Sequence, residues 1–273
     1  MMAIRARKRF GQHFLEPAWV DKVIRAIDPK PDETFIEIGP GRGALTRPLA
    51  ARAKEVLAFE IDRDLAAELR RSAPSNVTVV EGDFLDAANG RRLKTDDRMR
   101  AAGNLPYNIA SPIMFNLVAL VSSGLSLVDA TLMLQREVAD RLIARPGRKE
   151  YGVLSVLIQH SAGVERLLTL PPGAFRPQPN VQSALVRLRF HPPDPPVANA
   201  EVFERLVQAV FTRRRKTLAN ALRALGETQS AQKAGRALAA SAIDGRRRPE
   251  TLSVAEFARL ADAYAALPLS AER

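Results

Sequence analysis

Cysteine is absent from all 273 residues. Its absence excludes disulfide staples and thiolate metal sites, and it suits a reducing compartment. Histidine is nearly as scarce. His13, His160 and His191 are scattered and match no catalytic or ligating spacing, so no metal centre is expected. Long apolar runs are missing too. The most apolar stretch, 113–128, is broken by Asn116, Ser122, Ser123, Gly124 and Ser126, too polar for a bilayer span. Arg5, Arg7, Lys8 and Arg9 make the N-terminus basic with no apolar segment behind them, so no secretory leader is expected. The expectation is a soluble, cytoplasmic protein.

What is present is enough for a folded core. Hydrophobic residues make up 46% of the chain, which argues against disorder. The length allows one large domain, or a medium domain with a small partner. Charge is lopsided, with 41 basic and 30 acidic residues and a net +11. Divided at residue 195, the two parts carry 28 basic against 22 acidic and 13 against 8, or +6 and +5. The shorter part is therefore denser in positive charge, as a polyanionic partner would favour. A basic surface kept for solubility alone reads the same way.

Short β-type runs recur: "TFIEI" 34–38, "VLAFE" 56–60, "VTVVE" 77–81, the weaker "RMRAA" 98–102, and "ATLML" 130–134. Helix-like segments, 44–53 and 64–72, separate the first three. Strand, helix, strand in repetition predicts an α/β fold, a Rossmann-type parallel sheet with helices on both faces. "SALVRLRF", 183–190, is a further strand after a proline-rich loop. The segment "HPPDPPVAN", 191–199, cannot sit in a helix or a central strand and reads as a linker. Beyond it, Phe203, Leu206, Val207, Val210 and Phe211 fall at helical spacing, as do Leu218, Leu222 and Leu225. A last helix runs through Phe257, Leu260, Ala261 and Tyr264. The expected division is 1–195, with a basic arm at 1–15, and an all-helical domain at 196–273.

"FIEIGPGRGALT" ends a strand at Gly39, Gly41 and Gly43 and then starts a helix. Glycines let the backbone turn sharply and approach a ligand where such sheets bind cofactors. Gly39, Gly41 and Ala44 also fit the dinucleotide pattern. Pro40, however, removes an amide donor where a pyrophosphate would need one. S-adenosylmethionine carries no phosphate, so it suits this turn better than a nicotinamide cofactor does. A tight turn with no ligand is the plain alternative. Glu60 follows 21 residues after Gly39 at the next strand end, where a carboxylate can accept from a ribose diol. Asp83, beside Phe84, ends the third strand, an acid and an aromatic able to hold and stack an adenine. Each acid alone could be an ordinary cap or turn residue.

The fourth strand leads into "GNLPYN". An adenine amine is a poor nucleophile because its lone pair is delocalised into the ring. The Asn104 side-chain oxygen and the Leu105 carbonyl can accept its N–H bonds, Pro106 can fix the loop, and Tyr107 can stack on the base. Methyl transfer from a sulfonium needs no strong base, since the proton can leave afterwards. In isolation the same tetrapeptide would read as a turn with a half-buried tyrosine.

The tetrapeptide is not isolated. "KRFGQHFL" (8–15), "FIEIGPGRGALT" (35–46), "FEID" (59–62), "EGDFLD" (81–86), "GNLPYNIASPI" (103–113), "AFRPQPNVQSALVRL" (174–188) and "FTRRRKTLANAL" (211–222) occur in one order. Together they resemble the ribosomal small-subunit RNA adenine dimethyltransferases. That resemblance implies S-adenosylmethionine-dependent dimethylation of two adjacent adenosines in a hairpin near the 3′ end of small-subunit (16S) ribosomal RNA, within subunit biogenesis. It implies cofactor contacts at His13, Leu15, Gly39, Gly41, Glu60, Asp83, Phe84 and Asn104. His13 stands where many relatives carry Asn. Phe175 is implied as a second aromatic face opposite Tyr107, with a loop anchor under prolines as the other reading. Arg7, Lys8, Arg9, Arg213, Arg214, Arg215 and Lys216 are implied as phosphate contacts, and the protein as a monomer acting on an immature subunit. The 246–248 arginines read as a solvated face. Rival readings are a large-subunit adenine methyltransferase of the antibiotic-resistance type, an RNA-binding factor without catalysis, and a nicotinamide oxidoreductase.

Overall fold

The computed structural model describes residues 13–86, 93, 98–225 and 230–267. Its centre is a seven-stranded sheet. The strands are β2 (Thr34–Ile38), β3 (Glu55–Glu60), β4 (Val77–Glu81), β5 (Met99–Asn104), β6 (Leu127–Gln135), β7 (Ala162–Leu170) and β9 (Ser183–Phe190). Spatial order is β4-β3-β2-β5-β6-β9-β7. A separate two-stranded ribbon pairs β1 (Phe14–Leu15) antiparallel with β8 (Phe175–Arg176).

From β2 the chain first builds outward through β3 and β4, then returns to add β5 on the other side of β2. All these neighbours are parallel, as is β6 on β5; β9 runs antiparallel to β6. The reversal of direction beside β2 creates a crevice at the strands' carboxyl ends, where open sheets of this kind bind ligands. The central strands are largely apolar because neither face meets water: every residue of β2 is buried, Thr34 and Glu37 included.

Helices Pro17–Ile27, Thr46–Ala50, Arg63–Ser72 and Ala110–Ser122 flank the sheet. The third shows its logic plainly. Asp62 caps it by accepting from the Asp64 amide at 3.1 Å, and Leu65, Ala66 and Leu69 form its buried stripe. At the strands' other ends, Arg100 is buried and paired with Asp129 and Glu33, each at 2.9 Å. Its remaining donors reach the Ile27 and Asp28 carbonyls at the end of helix Pro17–Ile27. The buried cation thus satisfies carbonyls that the helix end leaves bare.

The chain folds into two compact units: Met1–Ala139 with Gly163–Phe190, and Asp140–Ala162 with His191–Arg273. The expected division at residue 195 differs from this by two stretches, residues 140–162 and the short 191–195. Helix Val153–Gln159 buries Val156, Leu157 and Ile158 and packs on helix Ala200–Thr212. The His160 ring lies 4.3 Å from that of Phe203, and Tyr151 meets Phe211 edge-on at 6.3 Å. These apolar groups precede the linker, so sequence order hides their partner. The second unit adds helices Leu218–Ala221, Ser230–Ala240 and Val254–Ala265. Ser253 and Glu256 form a reciprocal capping box on the last. No helix among the described residues is long and apolar enough to cross a membrane.

Gly103 shows how tightly the crevice is built. A Cβ there would stand 2.6 Å from the Ile38 carbonyl oxygen on the neighbouring strand. Gly103→Ala must push β5 from β2 beside Asn104 and is expected to cost ~1–3 kcal/mol. Urea denaturation of the variant measures it; an unchanged midpoint contradicts this packing.

Candidate active site

The crevice is an open cleft at the carboxyl ends of the strands. Four strand ends supply its walls. From β2 come Gly39 and Gly41, from β3 Glu60, from β4 Asp83 and Phe84, and from β5 Asn104, Leu105, Pro106 and Tyr107. His13 and Leu15 border it as well. Residues far apart in sequence, each with a plain turn reading of its own, therefore meet in one place.

The glycine turn is fastened from within. Gly39, Gly41 and Gly43 have φ of +70°, +57° and +78°, values that side-chain-bearing residues rarely adopt. Their amides are spent internally: Gly39 donates to the Phe59 carbonyl and Gly43 to the Pro40 carbonyl, each at 2.9 Å. Gly41 donates to Glu60 Oε2 at 2.9 Å, while Glu60 Oε1 accepts from the Asp62 amide at 2.8 Å. With Pro40 lacking an amide and these three committed, the turn offers a pyrophosphate little of the cradle it needs. Burial raises the Glu60 carboxyl above its ordinary value, against the backbone bonds that lower it.

Asp83 accepts from the Leu85 amide at 3.0 Å, which fixes the turn after β4. The Phe84 ring is buried edge-on against Phe59, 5.4 Å between centroids.

On the far wall, Leu105 is buried and its amide donates to Met133 at 3.2 Å, extending the β5–β6 pairing into the loop. The Pro106 carbonyl then accepts from Ile109 and closes the turn. Asn104 Nδ2 donates to the His13 carbonyl at 2.6 Å. A carbonyl can only accept, so this bond orients the amide and assigns Oδ1 to the opposite side as an acceptor. The Tyr107 hydroxyl is bonded to Ser183 Oγ at 2.8 Å, and the His13 ring stacks on the tyrosine, 5.4 Å away and inclined by 24°. His13 Nδ1 lies 2.6 Å from the Pro177 carbonyl, so Nδ1 carries the hydrogen. Tyr107 is thus held at its hydroxyl and along one face.

Phe175 departs from expectation. It is 1% exposed, pairs with Leu15 in the β1–β8 ribbon, and packs in the core with Leu170 and Leu185. It does not line the cleft. Its ring is held among the buried side chains of that core cluster. Here the ring packs as the loop anchor under the prolines.

Arg213, Arg215 and Lys216 are exposed on the second unit. Arg214 is not equivalent to them. Its guanidinium donates to the Lys149 and Arg148 carbonyls at 2.6 and 3.2 Å, with Glu250 3.8 Å away. It holds the 148–149 backbone. Arg246 pairs with Asp244 at 2.9 Å, and Arg247 pairs with Glu256. Arg7, Lys8 and Arg9 lie outside the described residues. No cluster of metal-ligating side chains occurs among the described residues.

One cleft residue was missed by sequence reasoning. Glu37 on β2 lines the cleft, is 1% exposed, and its Oε2 has no hydrogen-bond partner. Burial pushes its carboxyl up to about 8, with Glu60 adding to the rise and Thr46 opposing it. An acid inside "TFIEI", an otherwise apolar strand, was the available signal.

Comparison with known proteins places these features. The model for "Ribosomal RNA adenine dimethylase" matches residues 3–265. A "Ribosomal RNA small subunit methyltransferase A" from Acinetobacter baylyi is 43% identical over 94% of this chain and 92% of its own. Its namesakes from Nitrosococcus oceani and Pseudomonas fluorescens are 44% and 42% identical, over 94% and 97% of this chain and 95% and 96% of theirs. Among solved structures, the 23S rRNA methyltransferase ErmE superposes with a TM-score of 0.65 at 28% identity, covering 92% of this chain and 99% of its own. A dimethyladenosine transferase from Plasmodium falciparum reaches 0.70 at 24% identity, over 91% and 96%, and so shares the fold.

The buried Glu37 has a consequence for stability. Its proton is held to about pH 8 in the fold but is lost near 4.5 when the chain is exposed. The folded state therefore binds more protons between those values, and stability falls as pH rises through that window. Denaturation midpoints of the ligand-free protein at pH 5.5 and 8 should converge in Glu37→Gln, removing a pH dependence of about 3 kcal/mol. Identical pH dependence in both proteins contradicts the burial of an uncompensated acid.

Proposed function

The chain belongs to the ribosomal RNA adenine dimethylase family, and on that premise we propose that it methylates the 6-amino groups of two adjacent adenosines. The substrate is the 3′-terminal hairpin of small-subunit ribosomal RNA, and the methyl donor is S-adenosylmethionine. The observation that carries this reading is the meeting of the Asn104–Tyr107 turn with the glycine turn in one cleft.

The cleft fits such a donor. Its glycine amides are turned inward to protein acceptors, and an orphaned, buried carboxyl oxygen sits in its lining. Those features suit a cationic ligand without phosphates. Glu60 would hold the ribose, Asp83 the adenine amine, and Phe84 the adenine ring; His13 and Leu15 border the same space. The donor supplies an electrophilic methyl group on a sulfonium, and everything else falls to this chain.

Asn104 Oδ1, set by the bond from Nδ2 to His13, and the Leu105 carbonyl accept the two hydrogens of the target amine. Holding both N–H bonds keeps the nitrogen lone pair out of the ring and directed at the incoming carbon. Once the C–N bond has formed, the extra proton leaves to water. Tyr107 supplies the stacking surface on the face His13 leaves open. Base extrusion costs a few kcal/mol, and stacking on one aromatic returns about 1–3 kcal/mol. Because Phe175 faces the core, this single platform does the stacking.

Arg213, Arg215 and Lys216 contact RNA phosphates, and Arg214 shapes the surface beside them. Such contacts set register without reading bases. The protein acts as a monomer on an immature small subunit in the cytoplasm. Methylation of large-subunit RNA is the second reading, favoured by the likeness to ErmE; the identity to small-subunit enzymes is higher.

Asn104→Ala removes one acceptor, worth ~1–3 kcal/mol, or about tenfold to hundredfold in single-turnover rate. Cofactor affinity should fall less, and an unchanged rate would falsify the assignment. Arg215→Gln should reduce the salt slope of RNA binding by about one ion. Arg214→Gln should instead loosen the 145–150 segment to proteolysis, and equal protease sensitivity would contradict its structural role.

A further inference from the structure

Glu37 has no part in the chemistry described so far. It lies two residues before the Gly39 turn, between Ala58 on β3 and Ala102 on β5, both fully buried. These small neighbours bring no donor to it. The groups acting on it are the Thr46 hydroxyl from helix Thr46–Ala50 and the Glu60 carboxylate from β3. Thr46 is itself buried, and its hydroxyl makes no formed hydrogen bond. The cation bordering the cleft at the glycine turn is Arg42, whose guanidinium lies over the Phe14 ring at 4.4 Å.

An ionised carboxylate in such a place would face another acid across a poorly polarisable gap with no counter-charge. The neutral form is favoured by desolvation first and by Glu60 second. Neutral, however, it is a poor choice for a purely structural site. Leucine or glutamine would fill the same volume without the penalty. A titratable acid in a ligand cleft is useful when the ligand brings a charge and later loses it.

Resting on the reading of the donor given above, we propose that Glu37 is the residue by which the cleft distinguishes the charged methyl donor from the neutral thioether it becomes. Glu37 releases its proton to solvent when a sulfonium-bearing ligand binds, and the resulting carboxylate is the counter-charge. On transfer the C–S bond breaks and its electron pair stays on sulfur, while the amine's lone pair forms the C–N bond. The sulfonium charge is then gone, the amine's extra proton goes to water, and Glu37 takes a proton back from solvent. Donor affinity therefore rises with pH through neutrality, and product affinity does so much less. The spent product is favoured relative to the donor most at low pH.

Calorimetry of the ligand-free protein at pH 7, in two buffers of different ionisation enthalpy, counts the protons. S-adenosylmethionine and sinefungin, whose amine carries a charge at the same position, should each release most of one proton. S-adenosylhomocysteine should release markedly less. Glu37→Gln should abolish the difference and lose about tenfold more affinity for the donor than for the thioether. Equal proton release for all three ligands would assign Glu37 to the shared α-amino group and overturn the proposal. No release for any ligand that binds would overturn it as well. Failure of every ligand to bind would instead sink the choice of donor, a separable outcome. The wild-type counts stand even if the variant folds poorly.

Discussion

The Glu60 carboxylate bonded to the Gly41 amide is the contact on which the cleft depends. It joins the end of β3 to a turn whose three glycines sit at positive φ. The Gly39 amide, donating to the Phe59 carbonyl, ties the same turn to the same strand through backbone alone. The Glu60 bond takes an amide out of circulation, turning a loop that superficially suits phosphate into one that suits a cation. It also places a carboxylate near the buried Glu37, so the space behind the turn is acidic. The Glu37 carboxyl is kept protonated first by its burial and then by this neighbouring acid.

Much of the first unit was legible because its signals are local. "TFIEI", "VTVVE" and "SALVRLRF" are strands with the bounds their composition suggests. The helix expected at 44–53 is shorter, Thr46–Ala50, because the glycine turn uses the residues before it. Strand β7 escaped notice because it is an edge strand with several exposed positions, including Glu165, and carries no unbroken apolar run. Residues 140–162 were assigned by sequence order to the wrong side of the linker. Their apolar face finds its partner in helix Ala200–Thr212, a packing that local pattern cannot reveal.

The cleft residues were recognisable as a set, since glycines, acids and the Asn-Leu-Pro-Tyr turn recur at successive strand ends. What the set could not reveal is direction. Phe175 has the right chemistry for stacking, but its ring is packed in the core cluster. Arg214 belongs to a run of four cations, but its guanidinium reaches backbone carbonyls while its neighbours remain exposed. His13 was expected as a cofactor contact, and its carbonyl and ring are also engaged with Asn104 and Tyr107. In each case a tertiary contact fixed the side chain's use. Glu37 is the converse, a residue whose type alone conflicted with its apolar strand and whose buried Oε2 has no hydrogen-bond partner.

The central claim is that two oxygens at the end of β5 present an adenine amine to a methyl donor, on small-subunit RNA. The direct measurement is mass spectrometric mapping of nucleosides after small subunits lacking these methyl groups are incubated with the protein and isotopically labelled S-adenosylmethionine. The account predicts label as N6,N6-dimethyladenosine at two adjacent positions in the 3′-terminal hairpin. Label confined to large-subunit RNA, on another atom, or on no nucleoside would contradict it.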